Sequence, residues 1–494
     1  MTGKRRQGVL PATGRAALLA ALFLLCPIPV QAGQTPLPDI GETAQSYLST
    51  AEEQRLGAAF MHKLRHSLKI IADPEVNTYI QALGYRLVAN SDFRGREFTF
   101  FVVDSQVINA FAGPGGHIGI NSGLILITHS EAELASVIAH EIAHVTQRHI
   151  ARAVEEASKM NLPMTAALIA ALILGSQDAQ MGTAALAATT AGSVQHQINF
   201  TRSNEMEADR IGIRILAESG FNPRSMPLFF ARMQRASGTT ENPQFEFLRT
   251  HPVTTARIAD TLNRAAQYPR IKNMPSLNYA LIKAKLRVIQ QDDAQQSASY
   301  FAARLKDKAA TEEPAMHYGY GLALLAANNY TAARQQAQLL IARDPDKPAY
   351  QILLAKIEQA AGQPDKALKI YRKSLELYPY HQALSLLYAR TLIQSGHPDR
   401  ARILLVDYQR ARKQKNPLFY SLLAQAEDDS GRVVAAHQAL AEYYYLTGET
   451  GTAIEQLKIA MKTARTKNTF QQEKIAARLK QLQRLFLQEK EDKK

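Results

Sequence analysis

A chain of 494 residues is longer than one compact core usually supports, so two or more domains are expected. Its 46% content of hydrophobic residues excludes an intrinsically disordered protein, and a single cysteine excludes a disulfide-built scaffold. Lysine and arginine outnumber aspartate and glutamate by 58 to 44, a formal +14, but the excess is spread along the chain and does not read as a nucleic-acid footprint.

The chain opens with a basic run, "KRR", an apolar run, "AALLAALFLLCPIPV", and a small-residue ending, "VQA". That order predicts a secretory signal peptide over residues 1–32, cut after Ala32, and hence export. The apolar run is shorter than the ~20 residues a membrane-spanning helix needs. Lys4, Arg5, Arg6 and Arg15 lie in this segment with Cys26, so the remainder carries +10 and no thiol.

A Pro/Gly-containing linker, "GQTPLPDIGETAQSYL", precedes helical patterning in "AEEQRLGAAFMHKLRHSL" and "PEVNTYIQALGYRLVA". "FTFFVVD", residues 98–104, is aromatic and β-branched and predicts a strand. Turn-forming glycines in "GPGGHIGINSGLILI" then predict a second strand near His117 to Asn121. Helical patterning runs from Glu131 to about Val154. The run "LPMTAALIAALILG", residues 162–175, is too short to span a membrane and reads as a buried helix or one in peripheral contact with a membrane surface.

Within the helical stretch lies "VIAHEIAHVTQRH". Residues four apart share a helix face, so His140 and His144 of "HEIAH" can aim both imidazoles at one cation, while Glu141 points about 100° away. Zinc suits nitrogen ligands in tetrahedral array and acidifies water, from which Glu141 can then take the proton. His149 lies half a turn away from His140 and reads as a polar contact on the helix's other side. A third ligand is offered by "NEMEADRIGIRILAES", residues 204–219. Wound as a helix, it places Glu205 in a stripe with Ala208, Asp209, Gly212, Ile215 and Leu216. A carboxylate in an apolar stripe needs a strong partner, either a cation or a core arginine. Glu207 falls on the far side with Arg210 and Arg214, as in a solvated ion pair. Asp209, one turn beyond Glu205, can hold a ligating histidine or help to protonate a leaving amine.

From about residue 314 the chain repeats itself every 34 residues. Gly362, Pro364, Asp365 and Ala367 recur as Gly396, Pro398, Asp399 and Ala401, and Ala333 stands 34 residues before Ala367. With Tyr371 and Pro379 at their expected places, the unit resembles the tetratricopeptide repeat, whose helix pairs bury their apolar sides only by stacking.

"HEIAH" followed about 60 residues later by "EMEAD", with "NAFAGPGGHIGINSGLI" before and "THPVTTARIAD" after, resembles the zinc metallopeptidase family of the CAAX prenyl proteases and the HtpX heat-shock protease. The resemblance implies one Zn2+ per chain, bound by His140, His144 and Glu205, with Glu141 as base and Asp209 as proton donor. It further implies that Gly115 to Leu124 is an edge strand receiving peptide substrate at Gly116, His117, Ile118 and Gly119, and that His251 is a fourth, regulatory zinc ligand.

The expected fold is α+β, mainly α: a gluzincin-type metallopeptidase domain over 33–275, a helical linker over 276–313 and an α-solenoid of repeats over 314–488. The branch of the family with a signal and repeats implies a Gram-negative periplasmic endopeptidase with chaperone-like activity. It would promote outer-membrane β-barrel assembly, degrade stalled or unfolded outer-membrane proteins and dock on the assembly machinery through its repeats, with no nucleic acid involved. The rival reading is a non-proteolytic repeat scaffold with a structural metal, but structural sites are usually closed by four ligands, often cysteines.

Overall fold

In a computed structural model of the chain, the described residues are 1–3, 48–91, 97–159, 191–237, 243–272, 274–306, 313–412, 416–464 and 469–491. The expected signal peptide from residue 4 onward and the apolar run 162–175 lie outside them.

Two helices open the described chain, α1 (Thr50–Ser67) and α2 (Pro74–Val88). Ser49 and Glu52 close a capping box on α1; Asp73 caps α2 ahead of Pro74, whose missing N–H costs nothing in the first turn. A small sheet follows, β1 (Thr99–Val103), β2 (Ala110–Gly113) and β3 (His117–Asn121), in the order β1-β3-β2. β3 pairs parallel to β1 and antiparallel to β2. β2, with the sequence Ala-Phe-Ala-Gly, carries little β-propensity of its own and forms by pairing with β3.

After the short α3 (Ser122–Ile127) comes α4 (Glu131–Thr146), capped by Ser130 and buried almost all round. The helix expected to continue to Val154 breaks at Gln147 and Arg148. Arg148 takes φ 54°, in the left-handed region that non-glycine residues rarely adopt, and α5 (His149–Lys159) starts in a new direction. The long α6 (Ala191–Glu218) then packs along α4. Gly212 makes that approach possible: a Cβ there would sit 3.2 Å from the backbone nitrogen of His140. α7 (Ser225–Ser237), α8 (Glu246–Thr250) and α9 (Thr255–Ala266) complete this half, whose core joins Val102, Ile118, Ile120, Ile138 and Phe229.

α10 (Leu277–Ile289) is more than a spacer. Tyr279, Ile282 and Leu286 enter the first core, while Ala280, Leu281 and Ala284 enter that of the following helices. After α11 (Ala294–Lys306) come paired helices: α12 (Glu313–Ala326) and α13 (Tyr330–Arg343), α14 (Pro348–Ala360) and α15 (Pro364–Leu377), α16 (Gln382–Gln394) and α17 (Pro398–Arg412), α18 (Pro417–Asp429) and α19 (Val433–Thr447), and α20 (Thr450–Thr463) and α21 (Thr469–Glu491). Successive pairs start 33 to 35 residues apart. The turn inside each of the first four pairs carries a left-handed residue, Asn328, Gly362, Gly396 and Gly431, and each following helix buries an alanine, Ala333, Ala367, Ala401 and Ala436. The array folds back on the first half, with α16 against α2. Among the described residues no helix is long and apolar enough to cross a membrane.

Candidate metal centre

Side chains from three elements converge: His140 and His144 from α4, Glu205 from α6, and His251 from the residue closing α8. One potential ligand atom from each lies within 4.8 Å of every other. His140 Nε2 is 3.3 Å from Glu205 Oε2 and 3.0 Å from His144 Nε2, and His144 Nε2 is 3.4 Å from Glu205 Oε1. His251 Nδ1 lies 3.0 Å from Glu205 Oε1 and 3.3 Å from His140 Nε2. Glu205 thus occupies the inward stripe with the buried Ala208, Asp209, Ile215 and Leu216.

Glu141 stands beside this set, 1% exposed, and neither carboxylate oxygen meets a well-aligned hydrogen-bond donor. His251 Nε2 lies 3.5 Å from Oε1, with the backbone of Ala112 on β2 also close. Burial pushes its carboxyl above the ordinary value despite the nearby imidazoles. Burial opposes charging His140 too, but Asp209 and Glu205 outweigh it and raise that ring to about 10, whereas burial holds His144 down to about 3. Glu205 overcomes its own desolvation through His251, His140 and His144 and stays well below the usual carboxylate range. Three imidazoles crowd one carboxylate, next to a second with orphaned oxygens, and a divalent cation of borderline softness satisfies that donor set.

Asp209 faces the other side of the His140 ring, its Oδ1 3.0 Å from Nδ1. Both its oxygens also accept from Arg257, at 2.8 Å each, and these partners outweigh burial and lower its pKa. An ionised, fully engaged carboxylate behind the ring is a poor proton donor. Arg257 of α9 also reaches Glu205 Oε2 at 2.9 Å, so the core arginine weighed as a substitute for a cation is present beside the histidines. Sequence reasoning missed its role; the signal was its place in a buried stripe with Thr261 and Ala265. His149 corrects a second expectation. Because the helix breaks before it, its ring returns to His144, Nδ1 to Nδ1 at 2.8 Å, instead of lying on the far side. Glu207 keeps the expected partner Arg210, 3.8 Å away, and is also drawn to His149 Nε2 at 3.2 Å and Arg152 at 2.7 Å.

The edge-strand expectation is overturned. Gly116 lies in the turn before β3, and His117, Ile118 and Gly119 lie on β3, the central strand, with partners on both sides: Thr99 and Gly113 flank His117, and Phe101 and Phe111 flank Gly119. Its ladder groups are already used, so no peptide can add there. Among the described residues, the strand beside Glu141 with one unpaired side is β2.

The sequence matches Peptidase family M48 over residues 74–265 and the tetratricopeptide repeat over 359–426. The beta-barrel assembly-enhancing protease of Escherichia coli is 35% identical over 448 residues, 90% of this chain and 91% of that protein. The chain belongs to peptidase family M48. A Vibrio cholerae relative of this M48 chain is 43% identical over 64% of it and 65% of the relative's own length. The mitochondrial metalloendopeptidase OMA1 of Arabidopsis thaliana is 29% identical over 33% of the chain and 31% of its own. This M48 chain is accordingly a metalloendopeptidase carrying helical repeats.

Proposed function

We propose that the chain is a periplasmic zinc endopeptidase that cleaves outer-membrane β-barrel proteins stalled in assembly, while its repeats dock on the assembly machinery and favour productive assembly. The supporting observation is the gathering of His140, His144, Glu205 and His251 within ligand distance, with the orphaned carboxylate of Glu141 alongside. Relatives named beta-barrel assembly-enhancing protease support the substrate class.

In this reading His140, His144 and Glu205 hold zinc, which when bound supplies Lewis acidity toward a peptide carbonyl and toward water. Glu141 takes the proton of the attacking water on its carboxylate, made more basic by burial, and passes it to the departing amine. Asp209 and Arg257 are positioning residues that fix the His140 ring. A substrate strand pairs with the unpaired side of β2, next to Glu141. His251 stands where a fourth ligand stands and against Glu141, so it must withdraw before a substrate carbonyl enters.

Glu141→Gln tests the base: the metal content stays, and cleavage of an unfolded outer-membrane protein falls by about 10²–10⁴. Cleavage at the wild-type rate ends the mechanism; lost cleavage with retained assembly would give the repeats a separate role. His251→Ala is expected to speed cleavage of misassembled substrate at equal abundance, and a slower or unchanged rate discards the latch.

A further inference from the structure

The two helix-borne histidines of the centre are backed differently. His140 leans on Asp209. His144 leans on His149, which in turn leans on Glu207, and Arg152 closes the series. His149 is 5% exposed, so its ring nitrogens depend on these two contacts.

Proton placement along this series has one consistent solution. For His144 Nε2 to face a cation, its lone pair must be free and its proton must sit on Nδ1. That N–H donates to His149 Nδ1 at 2.8 Å, which must therefore be the unprotonated nitrogen. The His149 proton then lies on Nε2 and donates to Glu207 Oε2, 3.2 Å away. Arg152, donating to the same oxygen at 2.7 Å, keeps that carboxylate charged. The backbone invests in this arrangement: the break at Arg148, held by the Arg148 guanidinium donating to the Leu48 carbonyl at 2.6 Å, turns His149 back toward His144.

We propose that His149 and Glu207 form a histidine–carboxylate relay that sets the tautomer and orientation of His144, making His149 a positioning residue for the metal centre. The inference rests on the reading of His144 as a metal ligand. Outer groups of this kind typically change metal affinity 10–100-fold.

The test uses the full-length purified chain, its zinc affinity measured by competition with a chromophoric chelator and its cobalt-substituted form by visible absorption. His149→Ala and Glu207→Ala are each expected to weaken zinc 10–100-fold and to shift the cobalt bands, with the metal-free unfolding temperature unchanged. His149→Asn, whose amide oxygen can still accept from His144 Nδ1, should recover most of the affinity. If His149→Ala does not fold, Glu207→Ala, altering a partly exposed group, carries the same test. Wild-type affinity in both alanine variants overturns the relay alone. Equal loss in His149→Ala and His149→Asn overturns it as well, because ring volume would then be what matters. A wild-type chain that holds no zinc overturns the ligand reading beneath it.

Discussion

Two clusters of buried charge among the described residues differ in whether their own members satisfy them. Where the repeats meet the first half, Asp73 and Glu75 at the start of α2 face Lys285 of α10, Lys356 of α14 and Tyr318 of α12. Lys285 pairs with Glu75 and lies 3.0 Å from Asp73; Tyr318 donates to Glu75 Oε1 at 2.9 Å; Lys356 approaches Glu75 at 3.4 Å. Asp73 also accepts from the backbone of Glu75 and Val76. Two acids meet two ammonium groups and a phenol, and the account closes. At the candidate metal centre both oxygens of Glu141 stay orphaned and three imidazoles converge on Glu205. Burial alone therefore does not mark a functional site; unsatisfied donors and acceptors converging on one point do.

Removing one charge from the closed cluster is the harshest way to break this contrast. Lys285→Met leaves two buried carboxylates short of a cation and is expected to cost about 3–5 kcal/mol in urea unfolding, with most of it recovered when Glu75→Leu is added. A loss below about 1 kcal/mol would mean the junction is not held by charge. Acid acts next on the closed cluster and, apart from both clusters, on His117. Burial opposes ionisation of Asp73, but Lys285 and Lys356 prevail and hold it below the carboxylate range, so its contribution is present above about pH 4 and disappears only as pH falls through that lowered value. Burial, aided by Arg65, lowers His117 from 6.5 to about 4. The unfolded chain then binds the extra proton, so stability declines as pH falls from 6.5 and levels off near 4, by at most about 3 kcal/mol. Denaturant titrations of wild type and His117→Gln should differ in that window; identical slopes would remove His117 as the cause. The smallest effect belongs to the repeats, away from both clusters. Gly362 has φ 74° with open space around it, so Gly362→Ala should cost only the left-handed strain, about 1 kcal/mol in thermal unfolding.

Much of this was legible in one dimension because it is periodic. The i, i+4 histidines, the inward stripe carrying Glu205 and the 34-residue register each follow from helix geometry, which links sequence spacing to a shared face. The failures lie where the backbone departs from regularity or where pairing partners are distant. β2 has too little propensity to announce itself, and the edge placement of β3 rests on the family resemblance alone. The turn at Arg148 reversed the placement of His149, and with it the setting of Glu207.

The sequence by itself determined the candidate metal-ligating residue types, their facing on α4 and α6, and the repeating helix pairs, since these are local consequences of residue order. Only the tertiary structure decided which strand has an unpaired side among the described residues, that Arg257 enters the centre, and that α10 and the repeats lock onto α2 through Lys285 and Lys356. Those outcomes depend on contacts between segments far apart in the chain, and the free energy of burying charge is settled only by what finally packs against it.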